Sequence, residues 1–165
     1  MRRKLRRSYE AGHNPKLLVL VDEMEDCGKA VYYASRRATR IGGKILLLRV
    51  IEPPLGELGW LGVADVVQTE ARREAQELLD RYVVLAQGIA AELPESVIRQ
   101  GDPAREIFEL IETDEDIAVL VLAAGASNKG PGPLVAELGR TAGTYPVPVV
   151  IVPVHLSDAE LDALS

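Results

Sequence analysis

Four apolar runs constrain this chain more than any other feature: KLLVLV at 16–21, KILLLRVI at 44–51, IAVLVLAA at 117–124 and PVVIVPV at 148–154. Each is too short for a buried helix and too unbroken for a strand with one wet face, so each reads as a strand buried on both faces. A shorter strand at 96–100 lies between the second and third of these. The intervening segments carry the helical period instead. Ala30, Tyr33, Ala34, Ala38 and Ile41 share one helical face, and Gly42-Gly43 ends the turn. Ala71, Ala75, Leu78, Tyr82, Leu85, Ala86 and Ile89 stripe a long helix over 65–93, with Asp65 as its N-cap and Glu77 paired with Arg81 on its wet side. Asp102-Pro103 opens a third helix with Ile107, Leu110 and Ile111 inward. Pro133 opens a fourth, carrying Leu134, Val135, Leu138 and Ala142 and stopping at Gly143. Ser157 and Glu160 form a capping box for a short last helix, stapled by Leu156 and Leu161. Strand and helix therefore alternate five times, which specifies an α/β fold: an open five-stranded parallel sheet with right-handed crossovers and helices on both faces. Pro153 cannot donate to a ladder and suits an edge strand. The Gly-rich stretch 54–64, with the only tryptophan, reads as a loop.

With 165 residues there is room for one domain. The organisation expected is a basic arm over 1–14, a domain over 15–154 and a short helical tail over 155–165. Only seven of the residues are aromatic, so the core must be Val, Leu, Ile and Ala, as in a sheet covered by helices. A single cysteine, Cys27, excludes an internal disulfide framework and a four-cysteine zinc site, which suits a reducing, cytoplasmic setting. No apolar run approaches the roughly 20 residues that span a bilayer, so no membrane partner is expected. The first ten residues carry +4 and the remainder −10 within a total of −6. So acidic a body repels phosphate backbones, and no nucleic-acid partner is expected. The basic arm reads as a solvated, mobile terminus, and the acidic run Glu112, Asp114, Glu115 and Asp116 as a solvated turn.

In open parallel sheets, ligands bind beyond the carboxyl ends of strands, where the strand order reverses. Three loops qualify by position: 22–27, 51–54 and 125–133. A carboxylate at Asp22 could accept hydrogen bonds from a ribose or an amino group, or simply stabilise the helix that follows. The loop 125–133, with Gly125, Gly130 and Gly132, offers backbone N–H groups at a helix start, although Pro131 and Pro133 remove two of them. Cys27 reads as a small helix residue more than as a nucleophile. His13 lies in the arm and His155 after the last strand, so neither is placed as a general base, and Lys129-Gly130-Pro131 is no Walker motif.

Taken together, KLLVLVDEMED, KILLLRVIEP, RQGDPAREIFELI, and IAVLVLAAGASNKG followed by YPVPVVIVP, in that order, resemble the universal stress protein family over nearly the whole chain. The resemblance implies an adenine nucleotide alpha hydrolase-like sheet in order 3-2-1-4-5 and a stress-response regulatory homodimer joined through the last strand, 148–154. It also implies an unidentified protein client. One branch of the family binds ATP or AMP, with Mg, through an aspartate after the first strand, a valine near the end of the second and a loop G-x-x-G-x9-G-S/T. Carried over, these are Asp22, Val50 and Gly125. The second loop glycine is replaced by Asn128, and after nine intervening residues stands Leu138-Gly139 instead of Gly-Ser/Thr; Gly130 and Gly132 stand close enough to compensate. The alternatives are a regulatory dimer of the same family that binds no nucleotide, a nucleotide-hydrolysing enzyme, and a phosphoacceptor receiver domain. The enzyme would require a metal ligand and base. The receiver would require an Asp where Gln100-Gly101 stands.

Overall fold

The computed structural model describes residues 4–53, 61–125 and 132–165. In chain order the elements are β1 Lys16–Leu20, α1 Cys27–Ile41, β2 Lys44–Ile51, α2 Leu61–Gln87, β3 Glu95–Gln100, α3 Pro103–Thr113, β4 Ile117–Ala124, α4 Pro133–Thr141, β5 Val149–Pro153 and α5 Asp158–Leu164. A short 3-10 turn, Ala142–Thr144, follows α4. The five strands form one parallel sheet in the order β3-β2-β1-β4-β5. The architecture expected from the alternation is therefore the one observed, with Pro153 ending the edge strand β5.

Because β1 sits between β2 and β4, its side chains alternate between two separate cores. Leu17, Val19 and Val21 pack under α1 and α2, together with Ile45, Leu47 and Val121. Leu18 packs on the other face with Leu48, Leu120, and Ile107 and Ile111 of α3. One irregularity breaks the period of two: Lys16 pairs with Ile117 but Leu17 with Val119, so β4 holds one extra residue there. That bulge turns Ile117 and Leu120 to the same face, where both are fully buried.

Local signals explain most element ends. Gly42 adopts φ 66 after α1, and Gly43 N–H returns to Ala38 O at 2.8 Å, closing the helix. A Cβ on Gly43 would meet Pro15 O at 2.7 Å, so glycine is required there for packing as well. Asp102 accepts from Arg105 N–H at 3.0 Å as the N-cap of α3, and Ser157 and Glu160 make the full capping box of α5. Leu161 is buried beside Leu156, as the staple requires.

Several expectations are corrected. The second helix spans Leu61–Gln87 rather than 65–93, so Asp65 is not its N-cap, and 61–64 are helical rather than loop. Its early end follows from Gly88, which makes propagation costly, and Ile89 and Ala90 bond back to Ala86 in a turn. Leu79, not Leu85, completes its inner face; Leu85 is exposed because α2 leans on α1 and β2 through Ala75, Leu78 and Leu79. Glu77 accepts from Arg73 at 2.6 Å, one turn before it, rather than pairing with Arg81 one turn after it. Gly143 lies within the 3-10 turn, since α4 already stops at Thr141. The remainder of the expected loop, 54–60 with Trp60, lies outside the described residues.

The largest correction concerns the arm. Arg6 donates to the carbonyls of Ile111 and Asp114, the last turn of α3, and Arg7 N–H donates to Glu115 O at 3.0 Å. His13 Nδ1 lies 2.6 Å from Asp116 Oδ1, and Lys16 Nζ lies 2.9 Å from Asp114 and 3.1 Å from Glu95. Ser8 is buried. The acidic run is thus not a solvated turn but the dock of the arm: opposite charges placed at a helix C-terminus and a strand start convert two solvated segments into one ordered clasp. The tail is likewise part of the body, since Arg36 pairs with Asp162 at 2.6 Å and Tyr32 Oη donates to the same carboxylate at 2.9 Å.

Candidate functional site

The parallel pairing of β1 with β2 and β4 brings three distant loops to one edge of the sheet. Val21 N–H still bonds Leu48 O at 2.9 Å, and the chain then turns away at Asp22. The turn is fixed by the Asp22 carboxylate, which accepts from Met24 N–H at 2.8 Å and from the Cys27 thiol at 3.1 Å. Asp22 N–H in turn donates to Cys27 Sγ at 3.4 Å. These reciprocal bonds join the end of β1 to the first residue of α1. Cys27 is therefore more than a small helix residue: it holds the aspartate in place.

The electrostatics follow from that pairing. Burial, and then the adjacent Asp22 carboxylate, push the Cys27 thiol up to about 12. It remains a neutral donor at physiological pH rather than a thiolate nucleophile. The Tyr82 hydroxyl from α2 donates to Met24 O at 3.4 Å, and burial, followed by the nearby Cys27 and Asp22, pushes it up to about 12 as well. Neither group is poised to exchange a proton near neutrality.

Beyond this turn lies a cleft of about 290 Å³. That is just below the roughly 300 to 1,000 Å³ typical of small-molecule sites. Its floor is apolar: Val50, Leu122 and Val135 are almost wholly buried beneath it. Asp22, Val50, Gly125 and Gly132, which come from three separate places in the sequence, all line it. Asn128 and Gly130 lie outside the described residues. Gly132 has φ 97, a conformation that an L side chain resists, and it leads directly into α4. The start of α4 therefore forms one wall, where Leu134 and Val135 N–H have no intrahelical acceptor.

Reading the sequence by loop position missed Arg49, which also lines the cleft. The signal was present, since a single charge interrupts the apolar run KILLLRVI. Arg49 Nη1 donates to Val50 O at 3.0 Å, and Nη2 lies 3.5 Å from Glu23. Tyr82 was also not anticipated at this end, whereas Glu52 falls within the expected loop 51–54 and lines the cleft. Among the described residues, no three His, Cys, Asp or Glu side chains converge as a metal-binding set. Among them, too, no helix is long and apolar enough to cross a membrane.

The comparisons with known proteins agree with this architecture. The model of the universal stress protein family matches residues 13–153. Among curated proteins, none matches the sequence. Among solved structures, universal stress protein UspA from Lactobacillus plantarum superposes with a TM-score of 0.72 at 17% identity, covering 84% of this chain and 97% of its own. A universal stress protein in complex with cAMP gives 0.63 at 21% identity, covering 84% and 96%. A universal stress protein family protein from Arabidopsis thaliana with AMP bound gives 0.58 at 20% identity, covering 84% and 91%. At such identities the likeness is one of fold.

Proposed function

The chain belongs to the universal stress protein family, and we propose that it is a regulatory homodimer that binds an adenine nucleotide at the carboxyl ends of β1 and β4. The observation that carries this reading is the convergence of Asp22, Val50, Gly125 and Gly132 on one cleft with an apolar floor. An adenine ring suits that floor, and a ribose hydroxyl can donate to a carboxylate that the Met24 and Cys27 bonds already hold in position. The N–H groups that open α4 supply a weakly positive wall for phosphate. The complexes of two structural neighbours with cAMP and with AMP support a nucleotide of this class. Mg would accompany a triphosphate and has no separate role in the proposal.

The dimer belongs to the same proposal. β5 is an edge strand, and Ile151 on it is 43% exposed, after the half-buried Val149 and Val150 and before the buried Val152. An apolar edge of this kind invites pairing, and a second copy of the same strand covers it with the symmetry of a two-fold dimer. The function is that of a ligand-responsive binding protein in a stress response, acting through a protein client in the cytoplasm.

Titration calorimetry of the purified chain with AMP and with ATP tests the site. Heat of binding and a raised melting temperature are expected with at least one of them; no heat and no thermal shift at millimolar nucleotide would refute it. Light scattering at micromolar protein tests the dimer, and a monomer mass would refute it.

A further inference from the structure

Met24 is the only large apolar side chain among the described residues that both lines the cleft and is exposed, at 49%. Its main chain, by contrast, is fixed. Met24 N–H donates to Asp22 Oδ1 at 2.8 Å, and its carbonyl accepts from Cys27 N–H at 3.2 Å and from Tyr82 Oη at 3.4 Å. The turn therefore holds a thioether on the cleft wall while leaving it open to solvent. There it adds to the apolar surface of Val50, Leu122 and Val135, and a flexible, polarisable side chain of this kind packs well against the edge of an aromatic ring.

Sulfur is scarce in this chain. It has two methionines and one cysteine, Met1, Met24 and Cys27, and the last two both line the cleft. Their surroundings set them apart as targets of a peroxide. Cys27 is 4% exposed, and its thiol, bonded to Asp22 and pushed up to about 12, supplies no thiolate to oxidise. A thioether needs no deprotonation. Its sulfur lone pair attacks one oxygen of hydrogen peroxide, an S–O bond forms and the O–O bond breaks. The second oxygen takes up the proton of the first and leaves as water, so sulfur gives up two electrons and the peroxide gains them.

Resting on the nucleotide reading above, we infer that Met24 is an oxidation site that governs the cleft: hydrogen peroxide converts its thioether to the sulfoxide, and the sulfoxide weakens nucleotide binding. The sulfoxide is polar and chiral, so it removes apolar cover from a bound ring. The hydrogen bonds of Met24 are all made by its main chain, so the turn and the fold outlast the change. A thiol-dependent sulfoxide reductase reverses it, returning the oxygen as water while two thiols form a disulfide.

The test treats the full chain with hydrogen peroxide and follows it by peptide mass mapping and by calorimetry with the tighter-binding of AMP and ATP. Met24 is expected to gain one oxygen while Cys27 gains none. Affinity should fall roughly tenfold, with the melting temperature of the nucleotide-free chain held. Methionine sulfoxide reductase with dithiothreitol should restore the affinity. Met24→Leu keeps apolar bulk without sulfur and retains Met1, so it should bind the nucleotide with an affinity that peroxide does not alter. The inference is overturned if Cys27 is oxidised ahead of Met24, if the Met24 sulfoxide binds as tightly as the thioether, or if oxidation unfolds the chain. It is equally overturned if Met24→Leu binds no nucleotide or still loses affinity to peroxide. If the untreated native chain binds neither AMP nor ATP, the nucleotide reading itself falls; if it binds and oxidation changes nothing, only the role of Met24 falls.

Discussion

At the amino end of the sheet, Arg6, Arg7, His13 and Lys16 have all found partners among the described residues. His13 meets Asp116, Lys16 meets Asp114 and Glu95, and Arg6 closes the last turn of α3. At the carboxyl end the chain leaves a cleft, a shielded Arg49 Nε that has no hydrogen-bond acceptor among the described residues, and first-turn N–H groups of α4 that no helix carbonyl can reach. The same strands run through both ends, so the difference lies in the segments that finish them. Complementary charge seals one end and keeps it structural. Incomplete pairing at the other end is what gives a ligand something to complete.

The most severe way to break the contrast is to remove what both ends share. Leu47→Ala in β2 should cost about 2–5 kcal/mol by urea unfolding and lower the stability of arm and cleft alike, because it opens a cavity in the central core. Asp114→Ala should act on the amino end alone. It strips Lys16 of one of its two carboxylates and Asp116 N–H of its acceptor, and about 1–3 kcal/mol of stability should go with no change in nucleotide affinity. Equal loss of affinity in that variant would show that the two ends are coupled.

Alkaline pH should separate the ends without large changes to either. The Cys27 thiol is held protonated in the folded state up to about 12, against an ordinary value of 9.0. The unfolded chain therefore loses its proton first, and stability present below 9.0 should drain away as pH rises from there towards 12. For Lys16, burial works against the charge but is outweighed by the Asp114 and Glu95 bonds, so its folded value is raised above 10.5. That contribution is complete below 10.5 and is lost as pH rises through the raised folded value. Urea midpoints of Cys27→Ala should accordingly be flat between pH 9.0 and 10.0, where the native chain declines, while above 10.0 the Tyr82 hydroxyl adds a decline to both chains. A matching decline in the variant would exclude Cys27 as the cause. The smallest effect belongs to neither end: Glu77→Gln on the exposed face of α2 should change stability by no more than about 0.5 kcal/mol by thermal melting.

The candidate site was legible in proportion to how local its signals are. Asp22 announced itself as the polar residue ending an apolar run, and Gly125 as the first glycine after another. Val50 and Gly132 came with the family resemblance and its loop, and the structure places both on the cleft wall. Arg49 was visible only as an interruption, since nothing within its own strand says which loops its side chain will meet. The Asp22–Cys27 bond was missed for a different reason: a thiol is a weak donor, and its partner five residues away becomes relevant only once the turn is built.

What the sequence determined by itself is the alternation of five strands and five helices, most of their ends, and the caps at Asp102, Ser157 and Gly42, because periodicity and capping are settled by residues within a few positions of one another. Tertiary structure alone decided that the arm docks on the acidic run 103 residues away, that β4 bulges beside Lys16, and that Arg49 faces the same cleft as Asp22. Each of these depends on which segments the sheet brings side by side, and pairing energies between distant charges or strands exist only after that packing has placed them in contact.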